Sequence, residues 1–150
     1  MTTAAATEVE ELVRATLAAH PSMYLATAGS SGPWVNGVFF AETDLFTLNL
    51  VLEQRGRTLT AIRENPVVAV VVSTGSPQDP FLQAQADVEV VSGAEDEEVR
   101  RVLVEKVPAA AAFLGAPIVA ARLGVRSWRA TDVPRGWLPG RQLPNPALQP

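Results

Sequence analysis

EQRGRTLTAIRENP, residues 53–66, joins two apolar runs that are typical of buried strands, LFTLNLVL (45–52) and VVAVVV (67–72). A plain connector would need only turn residues. This one instead places Arg55 and Arg57 around a glycine and then continues into a short helix. That helix is predicted over residues 57–64, with Leu59 and Ile62, three residues apart, as its buried positions, and Asn65-Pro66 ends it. The stretch therefore predicts a positively charged helix entry between two strands.

The pattern of apolar and polar residues along the rest of the chain predicts one domain over residues 1–150 that is mainly β. Residues 2–19 are expected to form an N-terminal helix, ended by His20-Pro21 and occupying the segment 1–20. A further helix is expected from about Ala94 until Pro108 breaks or kinks it, with one or two more helical turns in the alanine-rich run after it. The proline-rich segment 134–150 is expected to be extended and irregular. Six strands are predicted, over residues 22–28, 33–40, 45–52, 67–73, 81–91 and 121–133, with a turn at residues 41–44 between the second and third.

The connections between these strands are tight, which predicts a closed antiparallel barrel without free sheet edges. The strand 67–73 is apolar on both faces, so we expect it to be central and covered on both sides. The strand 81–91 alternates between apolar and polar residues, which predicts one buried and one exposed face.

Composition limits the classes of function. No apolar stretch is long enough to span a bilayer, no signal peptide is evident, and the chain has no cysteine, so a cytoplasmic protein is expected. The net charge of −4 argues against general nucleic-acid binding. Residues 121–150 nevertheless hold five arginines and one aspartate. This basic segment is either a solvated tail or a cover for an anionic ligand.

The side chains available for catalysis are few. His20 is the only histidine and is expected to cap a helix end, so the usual nucleophile–base pairs cannot be built. The acidic residues 95–98 are consecutive and would splay around a helix, so no metal site is predicted. An enzyme of this composition would take its chemistry from an organic cofactor. Arg55, Arg57, the Thr58 hydroxyl and the free N–H groups of the helix would form a phosphate-sized anion site. The alternative is a helix entry with two solvated arginines.

Three segments resemble the pyridoxamine-phosphate-oxidase-like, flavin-binding split-barrel family. MYLATAGSSGPWVNGVFF (23–40) is similar to its opening hairpin, and GRTLTAIRENPVVAVVV (56–72) to its basic phosphate turn, short helix and central strand. LQAQADVEVV (82–91) is similar to the strand that follows. The resemblance implies an α+β, six-stranded antiparallel split β-barrel with short flanking helices. It also implies a homodimer that binds FMN, or in some branches deazaflavin or haem, at the subunit interface.

Carried onto this sequence, the resemblance implies several cofactor-binding residues. Arg57 and Thr58 would hold the phosphate, with Arg55 as a further ligand. The remaining implied residues are Asn36 and the backbone near Val38 facing the flavin, Asn49 near the ring or ribityl chain, Gln83 near the cofactor, and Arg135 and Trp137 reaching the partner's site. Thr58 stands where the family usually has lysine, and no basic set for a substrate phosphate is present, so pyridoxamine-phosphate oxidation is not expected.

Two functions remain open from the sequence. The first is a flavin-dependent oxidoreductase that passes electrons or hydride to an unknown small-molecule acceptor, with a deazaflavin-dependent reductase as a variant. The second is a non-catalytic protein that holds flavin, deazaflavin or haem.

Overall fold

The structure is a computed structural model and describes residues 3–148. Three α-helices and eight strands make up the fold, with short 3₁₀ helices at Pro108–Phe113, Val133–Arg135 and Pro146–Leu148. The helices are α1 (Thr3–Ala19), α2 (Arg57–Glu64) and α3 (Ala94–Lys106). The strands are β1 (Ser22–Gly29), β2 (Gly32–Phe39), β3 (Ala41–Asp44), β4 (Thr47–Glu53), β5 (Val67–Val72), β6 (Phe81–Val91), β7 (Ile118–Asp132) and β8 (Trp137–Pro144).

All strands belong to one antiparallel sheet with the order β2-β1-β5-β6-β7-β4-β3. The long strand β7 pairs with β4 along its first half and with β8 along its second half. The sheet curls until β2 lies beside β4, but these two strands are not paired. The barrel is therefore split between β2 and β4, as the family resemblance implied and in contrast to the closed barrel expected from the strand pattern.

The barrel interior holds the hydrophobic core. Its largest fully buried side chains include Trp128 and Phe40, together with leucines from β1, β4, β6 and β7. Helix α1 closes one side by burying Val9, Val13 and Leu17, which recur at helical spacing. Burial of one such side chain stabilises the fold by about 1.5–3 kcal/mol, so this stripe fixes the helix against the barrel. None of the helices within residues 3–148 has the length and apolar character needed to cross a membrane.

The prediction of six strands was wrong, because the structure has eight. Residues 41–44 were predicted as a turn, but they form β3, and the turn itself falls at Leu45-Phe46, where Asp44 accepts the Phe46 N–H at 2.8 Å. The tail is extended as expected, yet Trp137–Pro144 pairs with β7 as β8. Its prolines are tolerated because β8 is an edge strand, where a missing N–H leaves no partner unsatisfied. Residue 2, the predicted start of the first helix, lies outside the described residues.

The strand β5 is covered on one face only, which corrects the expectation that both faces are buried. Val68, Val70 and Val72 point into the core, whereas Ala69 is exposed and Val71 is half-buried. Their neighbours across the strand pairs are also apolar and open to solvent, with Tyr24 48 % and Val35 61 % exposed. We call this surface the outer apolar face; it consists of Tyr24, Ala26, Val35, Ala69 and Val71.

Candidate functional site

The split between β2 and β4 forms a cavity of about 590 Å³. It exists because β3 pairs with β4 only as far as Asn49, so Leu50–Glu53 has no strand on that side. Across the gap lies the free edge of β2, whose other edge is taken by β1. Two unpaired strand edges therefore face each other, and a ligand between them could use their backbone N–H and C=O groups.

One end of the cavity, the polar end, is built around the beginning of α2. The helix starts after Gly56, which has no side chain to cap it, and its first backbone bond runs from Thr60 N–H to the Gly56 carbonyl. The N–H groups of Arg57, Thr58 and Leu59 therefore have no intrahelical acceptor, which makes this helix end suited to an anion.

Side chains of α2 and β2 complete the polar end. Thr58 is buried, and its hydroxyl accepts a long hydrogen bond of 3.5 Å from the Asn36 amide. Arg57 donates to the Ser31 carbonyl at 3.0 Å, and its guanidinium carbon lies 4.1 Å from the centre of the Trp34 ring. Asn36, Val38, Arg57 and Thr58, four residues predicted from the sequence, thus line one cavity.

The hairpin turn that holds Arg57 is fixed onto α2 from several directions. Glu64 accepts the Ser30 N–H at 3.0 Å, and this hydrogen bonding lowers the pKa of the Glu64 carboxyl. The Asn65 amide donates to the Ala28 carbonyl at 3.2 Å. Gly29 approaches α2 so closely that an added Cβ would lie 2.9 Å from the Ala61 Cα. The position of the turn is therefore set by α2, the same element that supplies the anion site.

The other predicted residues do not line this cavity. Arg55 points into solvent and pairs with Glu53 at 3.1 Å. Gln83 lies on the exposed face of β6, opposite Val71. Trp137 is buried between the guanidinium groups of Arg135 and Arg141, at 4.9 and 4.4 Å from its ring centre. Contacts of these residues with a cofactor bound by a second subunit remain predictions.

Asn49 was predicted as a neighbour of the ring, but the structure places it outside the cavity lining. It is fully buried and its amide nitrogen donates to the Ala41 carbonyl at 2.9 Å and to the Thr43 hydroxyl at 3.3 Å. Its amide oxygen accepts from Arg122 at 3.3 Å. Because a buried amide needs these partners, Asn49 serves to tie β3, β4 and β7 together.

The second end of the cavity was not predicted, and its lining is mainly apolar. We call it the apolar end; it is lined by Phe39, Val51, Leu103, Ala110, Phe113 and Ile118. The rings of Phe39 and Phe113 meet edge to face, with centres 5.8 Å apart. The sequence signal that could have indicated it is the stretch 107–121, fifteen residues without a charged, hydroxyl or amide side chain.

The cavity is suited to binding and has few side chains that could act as an acid or a base. Among the described residues that line it, only Glu53 and Arg57 carry charged groups, and none is histidine, cysteine, methionine or tyrosine. His20 lies at the end of α1, where its Nδ1 donates to the Thr16 carbonyl at 2.8 Å, confirming the expected helix cap. Over residues 3–148 there is no group of three or more His, Cys, Asp or Glu side chains arranged to hold a metal ion.

Comparison with proteins of known structure identifies the same fold in several bacterial proteins. A haem-binding protein from Mycobacterium smegmatis is 18 % identical with a TM-score of 0.71, over 91 % of this chain and 57 % of that one. General Stress Protein 26 from Bacillus anthracis is 15 % identical with a TM-score of 0.69, over 92 % and 99 % of the two chains. The haem storage protein HutZ from Vibrio cholerae is 18 % identical with a TM-score of 0.64, over 78 % and 89 %. Identities this low show the fold alone.

Sequence comparison is decisive for the family. A search of curated protein sequences gives no match. The profile described as pyridoxamine 5'-phosphate oxidase, however, matches residues 9–130, which span every strand from β1 to β6 and most of β7. This range includes the whole cavity between β2 and β4, so the match covers the site as well as the barrel. The chain belongs to the pyridoxamine 5'-phosphate oxidase family.

Proposed function

We propose that the protein binds FMN in the cavity between β2 and β4 and acts as a flavin-dependent oxidoreductase on a small-molecule acceptor. One observation carries the proposal: the uncapped beginning of α2, with Arg57, Thr58 and Asn36 beside it, opens into a cavity of about 590 Å³. This volume lies within the usual range of cofactor and ligand sites.

The residues of the polar end fit a phosphate group. Three N–H groups without an intrahelical acceptor, a hydroxyl and an arginine converge there, and such donors form strong hydrogen bonds to phosphate oxygens. Arg57 would supply the positive charge and Thr58 a hydroxyl donor, in place of the usual lysine. The Asn36 amide and the free edge of β2 would then face the flavin ring. When bound, the flavin supplies transfer of hydride or single electrons.

The outer apolar face supports a homodimer with the cofactor at the subunit interface. Monomeric proteins rarely expose contiguous apolar patches of this kind. Tyr24, Val35, Ala69 and Val71 lie side by side on three paired strands, and Gln83 and Arg129 border them on β6 and β7. A polar rim around an apolar centre is typical of subunit interfaces. In such a dimer, the exposed Gln83 and the tail of one chain could approach the cavity of the other.

The acceptor is proposed to be a small molecule without a phosphate of its own, in a cytoplasmic protein. Arg57 is the only cation that lines the cavity among the described residues, and the phosphate of the cofactor would occupy it. Oxidation of pyridoxamine phosphate would require a second set of basic residues.

A second candidate is a non-catalytic cofactor-binding protein, and the lack of an acid–base pair in the cavity favours it. The names of the haem-binding and haem storage proteins above raise haem as a ligand. The lining residues offer no histidine, cysteine, methionine or tyrosine as an axial ligand, so flavin or deazaflavin fits this cavity better.

The proposal is tested by the visible spectrum of the purified protein followed by titration with FMN. We expect flavin absorption bands at about one flavin per subunit. Arg57→Ala should weaken FMN binding about ten- to a hundredfold, because it removes a charge-assisted contact. Arg63→Ala is the matched control, since Arg63 is an exposed arginine in the last turn of the same helix and does not line the cavity. Equal affinity in the two variants would place the phosphate elsewhere.

Turnover separates the two candidate functions. Loaded with FMN and mixed with NADPH and a general electron acceptor, an oxidoreductase reduces the acceptor at a steady rate that Arg57→Ala lowers. Tight FMN binding without any reduction by NADPH would instead support the non-catalytic protein. A Soret band in the purified protein would assign haem.

A further inference from the structure

The two ends of the cavity differ in chemistry. The proposed phosphate site lies at the polar end, so no ligand has yet been assigned to the apolar end. Its walls come from the end of β2, from β4, from α3, from the 3₁₀ helix Pro108–Phe113 and from the beginning of β7. Phe39, Val51, Leu103 and Ala110 form one packed cluster, and Phe113 completes it on the solvent side. Phe113 is 53 % exposed, so this end is open and its apolar lining can be reached from solvent.

The chemistry of flavin places it at the polar end. The pyrimidine edge of a flavin ring and its ribityl chain carry carbonyl, imide and hydroxyl groups, and burying such groups without partners costs free energy. At the polar end, Asn36, Thr58 and the free edge of β2 can satisfy them. The six residues that define the apolar end have no side chain that can donate or accept a strong hydrogen bond, and the nearest polar lining residues are Ser22, opposite Phe39, and Glu53, opposite Ile118.

We propose that the apolar end is a second ligand site that takes an uncharged, apolar, ring-containing small molecule while FMN occupies the polar end. The apolar side chains of this end disfavour a charged ligand, because they would not replace its hydration. The edge-to-face pair of Phe39 and Phe113 provides a surface on which an aromatic ring packs favourably. The inference rests on the proposed function in one respect, the placing of the cofactor at the polar end, and it names the chemical class of the acceptor.

The test uses N-phenyl-1-naphthylamine, an uncharged aromatic probe whose fluorescence rises in apolar surroundings. We expect saturable binding to the full chain at one probe per subunit. Phe113→Asp should weaken binding about tenfold or more, because it puts a carboxylate beside the ring. Ala116→Asp is a second variant at an exposed lining position, where a change should not disturb folding. Leu138→Asp is the control, since Leu138 is a 68 % exposed apolar residue outside the cavity.

Three results would overturn the proposal. The first is unchanged probe affinity in both Phe113→Asp and Ala116→Asp. The second is an equal loss in Leu138→Asp, which would show general surface binding. The third is displacement of the probe by saturating FMN, measured by ultrafiltration because flavin absorbs the probe's emission; it would mean that the cofactor fills the apolar end. If FMN does not bind at all, the proposed function fails, while the probe results with the three variants still decide whether the apolar end is a site.

Discussion

Replacing Lys106, the single lysine of the chain, is expected to lower stability far more than replacing an arginine on the same helix. The Lys106 ammonium lies at the end of α3, donates to Glu42 at 2.5 Å and to the Leu17 carbonyl at 2.8 Å, and sits 3.8 Å from the centre of the Phe40 ring. It thereby ties α3 to α1 and β3. Both charged side chains of the pair are only 20 % exposed.

The magnitude follows from what Lys106→Met leaves behind. The Glu42 carboxylate would remain mostly buried without a partner, and the Leu17 carbonyl would lose its donor. Removal of one partner from a fully buried ion pair lowers the free energy of unfolding by about 3–5 kcal/mol, and removal from an exposed pair lowers it by under about 1 kcal/mol. Because this pair is partly exposed, we expect Lys106→Met to lose about 2 kcal/mol. Arg101→Met is the control, because Arg101 pairs with Glu98 and Glu105 at 61 % exposure, and its loss should barely change the urea midpoint.

A double variant tests the reasoning more sharply. Burial lowers the pKa of Lys106 even though Glu42 opposes the shift, so desolvation of the ammonium outweighs the attraction of its partner. Replacing both residues by methionine should therefore recover at least half of the stability that Lys106→Met loses. Urea unfolding followed by circular dichroism gives the free energy of unfolding of the unaltered protein and the three variants. Urea is uncharged, so it does not screen the ion pairs. If Lys106→Met costs no more than Arg101→Met, or if the double variant is the least stable, the reasoning is wrong.

Three further predictions concern the barrel surface and its hairpin. Gly29→Ala would bring a Cβ to 2.9 Å from the Ala61 Cα and should cost about 1–3 kcal/mol in urea unfolding. Val35→Asp places a charge in the outer apolar face and should convert a dimer to monomers in sedimentation velocity, at unchanged helix and strand content. The hydrogen bond from Arg126 lowers the pKa of Asp87 in the folded protein. The Asp87 carboxylate therefore stabilises the fold at a pH above its ordinary pKa of 3.8, and this stabilisation is lost as the pH falls through the lowered pKa of the folded protein. Asp87→Asn should thus lose under about 0.5 kcal/mol at pH 7, and the difference from the unaltered protein in urea midpoint should vanish in strong acid.

Local patterns in the sequence were enough to predict the elements that position the polar end. The predicted helix over residues 57–64 is α2, and the alternating stretch 81–91 is β6 with the same bounds. Buried residues at helical spacing and strict alternation are properties of neighbouring residues, so they can be seen without knowing the rest of the chain. Arg57 and Thr58 were identified from this local pattern, whereas the placing of Asn36 beside them followed from the family resemblance.

Features that depend on distant partners could not be predicted in this way. The strand β8 forms because β7 offers a free edge, although its own sequence has two prolines. The apolar end joins Phe39 with Phe113, and each alone looks like an ordinary core residue. The all-apolar sequence of β5 does not show whether its second face is buried within the same chain or exposed on the barrel surface. Asn49 was assigned to the ligand from the family resemblance, whereas in the structure its amide has partners on β3 and β7.

The contact of Arg57 with the hairpin has a consequence for the conformational entropy of binding. An arginine side chain loses much rotamer freedom when it is fixed, and ordering such a side chain at an interface costs about 0.5–1.5 kcal/mol. Here one N–H of Arg57 is already held by Ser31 and its plane is supported by Trp34, while its other donors remain available. The ordering cost is therefore met when the protein folds, not when an anion arrives. Trp34→Ala should then weaken FMN binding by releasing Arg57.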